Sequence, residues 1–547
     1  MKNSNLIVEV NPEKISRGFL EDSVARSLGK KGIVLEPLFD STIHIEKRSR
    51  DQQQKQAKWN IQQTKEDENS WDAAHELMDR AKGSDIVYVE PDVLSKTAQH
   101  QPKKTRGAKT DFFDDYLPQW SYPKPDDFTW HLKKSKLDKV RHKDPGPTGP
   151  KVRIAHFDTG YDGGHNGQRH PSEPKYLNLK LGKNLVEGGL PNDRRVKGIL
   201  DNPGHGPATM ALLAGNSVEI GDIYNDYMGA VPFAEIIPFR ISSSVVLLKN
   251  SAFAEALQYA MDLKCDVVTM SMGGLASKLW AEKVNEAYEA GIVLVTAAGN
   301  NFGGHLPTHR VIYPSRFNRV ITACGVTHND TPYYNSDYGM KVMMGNWGPE
   351  AVMYKAVGAY TPNVPWARMM SEGGGFSRDG GGTSSATPQI AATAALYIEK
   401  HKNHDFAKPW HRVEAVRTAI LESARNIKEL EQYIGNGILN AEAALKFPVP
   451  ASFKKTPEDS VRFPLLNVLF GNNRSKNVRA ALTRSEMFET ELLQLIDLDP
   501  QIDQWEQETK YLDKVDRNTA TKADHEELAA LVRESAFASE ALKKILR

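Results

Sequence analysis

Between Lys151 and Lys446 short apolar runs alternate with stretches whose apolar residues recur at helical spacing. Val152 to Phe157, Val267 to Met270, Ile292 to Ala297 and Val320 to Val326 are nearly all apolar. Strands of that kind are buried on both faces, as in a parallel sheet covered by helices. Between them, Phe253, Leu257 and Met261 fall on one helical face behind Ser251, a residue able to cap a helix start. Thr209 to Ala214 and the alanine-rich Gln389 to Tyr397 also read as helices. The pattern predicts an α/β unit with a parallel sheet.

The first hundred residues have a different rhythm. Leu6 to Val10, Ile33 to Leu38, Ile43 to Ile45 and Ile86 to Val89 read as strands, and Phe19 to Leu28 and Trp71 to Ala81 as helices. The order βαββαβ is the split, ferredoxin-like α+β arrangement. The Gln- and Lys-rich stretch Asp51 to Asn69 reads as a solvated helical extension or a loop. Ser95 to Pro150, rich in Lys, Pro and Asp, reads as an exposed connector that enters the next domain near Trp130-His131-Leu132. After Pro448 the strand alternation stops. Leu466, Leu469, Leu482, Leu492 and Leu495, then Leu528, Leu531 and Leu542, recur at helical spacing, so a small helical domain is expected. Its segment Leu495 to Leu512 mixes Asp, Glu and Gln with isolated apolar residues, which suits a solvated face. The expected parts are 1–97, a connector 98–129, the α/β unit 130–448 and a helical domain 449–547.

Composition narrows the function classes. The 547 residues are 40% hydrophobic and 25% charged, with a net charge of +1, so no electrostatic footprint points to nucleic acid or an anionic membrane. No stretch is apolar for long enough to span a bilayer. Cys265 and Cys324 lie in or beside apolar runs and read as buried free thiols rather than a disulfide framework. The opening apolar run Leu6-Ile7-Val8 is broken by Glu9, so no secretory h-region forms there. A cytoplasmic protein is the expectation.

Acyl-transfer chemistry needs a nucleophile, a base, an acid that orients the base and donors for the oxyanion. Candidates for all four stand in this chain. Asp158-Thr159-Gly160 ends the strand Val152 to Phe157 with a carboxylate and a turn, at the place where sites form on parallel sheets. Gly204-His205-Gly206 opens a helix, and its flanking glycines allow other backbone to come close. Gly381-Gly382-Thr383-Ser384-Ser385-Ala386-Thr387-Pro388 leads a glycine-rich loop into a serine at a helix start, where free N–H groups and a positive field gather. Val295 to Asn300 ends another buried strand with an amide that can donate to an oxyanion. Each motif alone also fits a helix cap, a loop histidine or a turn asparagine, and Ser385 competes with Ser384. The order Asp, His, Ser is one of the known solutions on an α/β sheet.

Together these motifs resemble the subtilisin-like (subtilase) family, over roughly Trp130 to Lys446. The matches are Asp158-Thr159-Gly160, His205-Gly206-Pro207-Ala208-Thr209, Ala297 to Asn300 and Gly382 to Pro388. The resemblance implies a subtilisin-like parallel sheet and a serine endopeptidase with Asp158, His205 and Ser384 as catalytic triad and Asn300 in the oxyanion hole. It also implies a peptide-binding strand at Ser271-Met272-Gly273-Gly274, faced across the specificity pocket by Ala297, Ala298 and Gly299, and a cis bond at Tyr313-Pro314. Pro207 departs from the family's usual Thr, Ser385 stands where Met is common, and the stretch from Asp158 to His205 is longer than in compact members. Tyr88-Val89-Glu90-Pro91-Asp92 resembles the end of the family's inhibitory propeptide, which implies a latent chain whose tail fills the cleft.

A protein or peptide substrate is thus the expected partner, and a regulatory partner or a second copy is expected at the helical domain. No cofactor is expected. His165 and His170, near Asp162 and Glu173, match no zinc spacing and read as loop residues, so no metal is expected either. A general-base imidazole implies activity that rises between roughly pH 6 and 8. The competing class is an interaction protein on a peptidase scaffold, favoured by Pro207 and by the helical domain. A lipase or esterase would want a G-x-S-x-G elbow and the order Ser, Asp, His.

Overall fold

Leu6–Val10 (β1), Leu35–Pro37 (β2), Lys58–Ile61 (β3) and Ile86–Pro91 (β4) pair antiparallel in the order β2-β3-β1-β4, and helix α1, Ser70–Arg80, connects the last two in sequence. The computed structural model describes residues 5–10, 35–38, 58–61, 69–80, 86–92, 117–123, 127–141, 149–150, 152–194, 202–245, 249–302, 308–461, 463 and 478–547. The helix expected at Phe19 to Leu28 and the strand expected at Ile43 to Ile45 lie outside these. The stretch Asp51 to Asn69, expected to be an extension or loop, holds β3 instead. Its Lys-Trp-Asn-Ile carries the polar–apolar alternation of a strand inside a polar run.

The central sheet has seven parallel strands. They are β5, Arg153–Asp158; β6, Lys183–Asn184; β7, Glu235–Arg240; β8, Val267–Met270; β9, Val293–Ala297; β10, Val320–Val326; and β11, Ala356–Tyr360. Their order is β11-β10-β9-β8-β5-β7-β6. The run reverses at β5, so the carboxyl end of β5 lies at the switch point where α/β sheets hold their sites. Period-two alternation sorts the strand residues. Ala155, Phe157, Val268, Met270 and Leu294 face one layer, with α3, Asn250–Asp262, and α4, Lys278–Glu289. Ile154, Val267, Val293 and Val295 face the other, with α2, His205–Ala214, and α5, Thr383–Lys400. The apolar pattern misses β7 because Pro238 interrupts it. The proline is tolerated because the outer neighbour β6 pairs only with Phe239 and Arg240, so the N–H that Pro238 lacks is not required.

The N-terminal sheet sits on the two helices of the first layer. Ile7 and Leu38 pack with Ala254 of α3 and Leu279 of α4. Glu90 accepts from Ser277 Oγ (2.8 Å), Lys278 N (3.0 Å) and Leu279 N (3.2 Å) at the start of α4. Asp92 accepts from Ser251 N (2.8 Å) and Ser251 Oγ (2.6 Å) at the start of α3. Ser251, expected to cap α3 itself, is therefore capped by Asp92 from another domain. Each carboxylate meets a helix N-terminus, where unpaired N–H groups and the dipole favour negative charge.

After Pro448 the described part of the chain is without helix up to Phe463 and helical from Val478 on, chiefly α6, Val478–Leu498; α7, Pro500–Thr509; and α8, Lys522–Glu534, while Leu466 and Leu469 lie outside the described residues. The surface its leucines need is this chain's own. Phe488, Leu492, Leu495, Ile496, Ile502, Leu528 and Leu542 join the core that contains Tyr313, Phe317 and Trp280 of the α/β unit. Of the face expected to be solvated at Leu495 to Leu512, Gln501, Gln504 and Glu508 are exposed, but Asp497, Asp503 and Glu506 are buried. The reason is Arg310, 1% exposed, whose guanidinium meets Asp497 (3.0 Å), Asp503 (2.6 Å) and Glu506 (2.5 Å). Opposite charge makes burial of these acids tolerable. Among the described residues no helix is long and apolar enough to cross a membrane.

Candidate active site

Asp158 is the last residue of β5 and is fully buried. Its Oδ1 accepts from His205 Nδ1 (2.7 Å) and from Thr159 N (2.8 Å). Burial alone would raise its pKa, but the adjacent His205, with which it also hydrogen-bonds, outweighs that and holds the carboxyl below its ordinary value. His205 is the first residue of α2 and keeps 11% of its side chain exposed. The close approach foreseen for its flanking glycines is real. A Cβ on Gly206 would stand 2.2 Å from Gly160 O, so only glycine lets α2 start against the Asp158 turn. Pro207 is the third residue of α2, where a backbone N–H has no intrahelical acceptor, so its missing donor costs the helix nothing there.

Ser384 lies in the first turn of α5, which begins at Thr383, six residues before the start read from the sequence. It is 5% exposed, and its hydroxyl donates to Ser271 O (3.1 Å) while Ser271 Oγ donates to Ser384 O (3.0 Å). This exchange joins the expected nucleophile to the expected substrate strand. Ser385 is fully buried with its hydroxyl on Gly381 O (2.9 Å), so the loop presents Ser384 and not its neighbour. Asn300 Oδ1 accepts from Thr383 N (2.9 Å), which commits that oxygen and leaves the amide nitrogen as donor. Gly382, at φ 76°, lets the loop pass that nitrogen, since a Cβ there would sit 3.0 Å from it.

The expected substrate segments face one another. Gly274 N donates to Tyr313 O (2.8 Å), and Ile312 N donates to Ala298 O (3.0 Å), so the Ile312–Tyr313 segment spaces Ser271-Met272-Gly273-Gly274 from Ala297-Ala298-Gly299. The Tyr313–Pro314 bond is cis, as the resemblance implies. Gly299 O accepts from Asn346 N (3.0 Å) and from Thr383 Oγ1 (3.0 Å). His170, by contrast, donates Nε2–H to Gly375 O (3.0 Å), and His165 pairs by backbone with Gln168.

Three supporting groups escaped the sequence reading. His156 Nε2 meets Thr209 Oγ1 (2.9 Å), and that hydroxyl reaches Asp158 Oδ2 (3.1 Å). His156 Nδ1 finds no partner among the described residues, and burial pushes the imidazole pKa down to about 4, so the ring is neutral. A polar residue at the alternate position before Asp158 in an apolar strand was the available signal. Asp193, in the long stretch before His205, accepts from Thr159 Oγ1 (2.6 Å) and Gly204 N (2.8 Å), so that stretch ties the two turns together. Burial pushes its pKa up to about 7. Trp366 stands edge-on to His205 with ring centroids 5.6 Å apart.

A model described as the subtilase family matches residues 149–437. Alkaline elastase YaB of Bacillus sp. (strain YaB) is 27% identical over 302 residues, which are 55% of this chain and 66% of that protein. Subtilisin DY of Bacillus licheniformis is 26% identical over 312 residues, 56% of this chain and 95% of its own length. In fold the chain is similar to fervidolysin from Fervidobacterium pennivorans, a keratinolytic enzyme related to subtilisin. The TM-score is 0.52 at 18% identity, covering 82% of this chain and 62% of that one. The chain thus spans about two thirds of the length of the elastase and a little less of fervidolysin.

Proposed function

The chain belongs to the subtilase family, and from that premise we propose that it is a serine endopeptidase held latent by its N-terminal domain. The observation that carries the reading is the buried Asp158 paired to His205 Nδ1 at 2.7 Å, at the sheet's carboxyl edge. Ser384 Oγ leaves the Ser271 carbonyl, gives its proton to His205 Nε2 and attacks the peptide carbonyl. The imidazolium is held by Asp158, and the proton passes to the leaving amine. Asn300 Nδ2 and Ser384 N–H receive the oxyanion; in subtilisin, loss of one such donor costs about 10² to 10³ in kcat. A substrate strand lies along Ser271-Met272-Gly273-Gly274 with Ala297, Ala298 and Gly299 across from it, recognised through backbone hydrogen bonds.

Latency is supported by the seating of Glu90 and Asp92 on α4 and α3, which directs the chain after Asp92 from a fixed point beside the peptidase. A cytoplasmic location is supported by Cys265 and Cys324, both free and buried. The test is a foreign protease site inserted after Gln99. Cleavage of the folded protein should raise hydrolysis of a peptide library. Equal activity before and after the cut would sink the restraint, and no activity in either state would sink the peptidase reading.

A further inference from the structure

The N-terminal domain touches more than the peptidase. Helix α6 runs along it and completes its core, since Met487 packs with Leu6, Val8, Trp71, Ala74, Leu77, Ile86, Tyr88 and Val89. The polar contacts are buried and specific. Trp71, 1% exposed, donates Nε1–H to Gln494 Oε1 (2.9 Å), and Gln494 Nε2 donates to Ala276 O of the peptidase (2.7 Å), so one side chain joins both domains. His75 Nε2 meets Glu491 Oε2 (3.0 Å), with 2% and 0% of the side chains exposed. The His75 ring stacks on Phe488 with centroids 4.3 Å apart. Glu491 also accepts from Ser539 N (2.7 Å) and Ser539 Oγ (3.0 Å). Tyr88 OH pairs with Thr490 Oγ1 (3.0 Å), and Asn69 Nδ2 donates to Phe537 O (3.1 Å).

This is not the surface of a piece made to leave. Withdrawal would expose Trp71 and Met487 to water and strip His75 and Glu491 of each other. Apolar burial and satisfied buried polar groups both oppose it. Residues 478–547 also share the core of the α/β unit, so they remain attached when the N-terminal domain is disconnected.

We propose that residues 478–547 are a clasp whose partner is the N-terminal domain of the same chain. Once the connector is cut, the N-terminal piece stays bound, and the working enzyme is a two-piece molecule. The proposal rests on the latency reading for its setting, but retention is read without catalysis.

The experiment uses the full chain carrying Ser384→Ala and a foreign protease site after Gln99. After cutting, the two pieces should co-elute on gel filtration and remain together on dilution to roughly 100 nM. Glu491→Ala and Met487→Glu should each weaken retention by at least about tenfold, because hot-spot contacts of this buried kind dominate binding. His75→Leu in the N-terminal piece reports the same pairing should the helix variants fail to fold. Release of the unmodified piece without denaturant overturns the proposal. So does retention that Glu491→Ala, Met487→Glu and His75→Leu leave unchanged, since the contacts on α3 and α4 would then hold the piece without the helical domain. If an uncut chain with Ser384 intact proves fully active, latency fails while retention stands or falls on the elution.

Discussion

Thr209→Val removes one hydroxyl and keeps the side-chain shape. That hydroxyl stands 2.9 Å from His156 Nε2, 3.1 Å from Asp158 Oδ2 and 3.1 Å from Gly206 O. It has one proton to give. With His156 donating from Nε2, the Thr209 proton is directed at Asp158, whose other oxygen holds His205. A hydrogen bond to a charged group contributes about 1.5–3 kcal/mol. If about half of that is lost from the positioning of Asp158 and His205 in the transition state, kcat falls roughly three- to tenfold. KM should hardly move, because Thr209 is fully buried. Losing the donor leaves more negative charge facing the imidazole, so the acid limb of kcat/KM should move to higher pH. The valine also strands the buried His156 N–H, at about 1–3 kcal/mol of stability. Adding His156→Leu should recover part of the melting temperature but not kcat, and the double-mutant cycle should show coupling. The assay is a pH series of peptide hydrolysis for wild type, both single variants and the double. An unchanged kcat and acid limb in a folded Thr209→Val protein would refute the reasoning.

Arg310→Met should leave Asp503 and Glu506 buried without their cation and Asp497 with Arg316 alone (3.5 Å), costing about 3–5 kcal/mol and on the order of 10 °C in melting temperature. Neutralising the three acids in the same chain should restore part of it, and a melting temperature equal to wild type would contradict the buried-charge account. Lys355 is fully buried, its Nζ bonded to Thr322 Oγ1 (2.7 Å) and to the Ser315 carbonyl, and burial pushes its pKa down to about 7. Between pH 7 and the unfolded value near ~10.4 the unfolded chain binds the proton and the folded chain does not, so this group's contribution to stability rises with pH. Lys355→Met should therefore gain most over wild type below pH 7 and least near the upper end of that window. A pH-independent difference in thermal unfolding would refute the depressed pKa.

Much of the site was legible because each group ends an element with its own punctuation. Asp158 closes an apolar strand with Thr159-Gly160, His205 opens α2 between glycines, and Ser384 follows a glycine pair into α5. Strands buried on both faces announce themselves, so β8 and β10 match their expected bounds residue for residue. What failed to show depends on partners distant in sequence. Asp497, Asp503 and Glu506 read as solvated because nothing local names Arg310, more than 180 residues away. Ser251 read as its own cap because Asp92 arrives from another domain. Thr209 read as an ordinary helix residue because its hydroxyl matters only where β5 brings His156 and Asp158 beside it.

The central claim is that Ser384, acting with His205 and Asp158, cleaves peptide bonds. The direct measurement is labelling by a serine-reactive phosphonate, read by intact mass and peptide mapping on the connector-cut protein, alongside hydrolysis of a peptide library. The account predicts one adduct, located on Ser384, loss of hydrolysis on labelling, and neither adduct nor hydrolysis in Ser384→Ala. An adduct on another residue, or near-normal hydrolysis by Ser384→Ala, would contradict it.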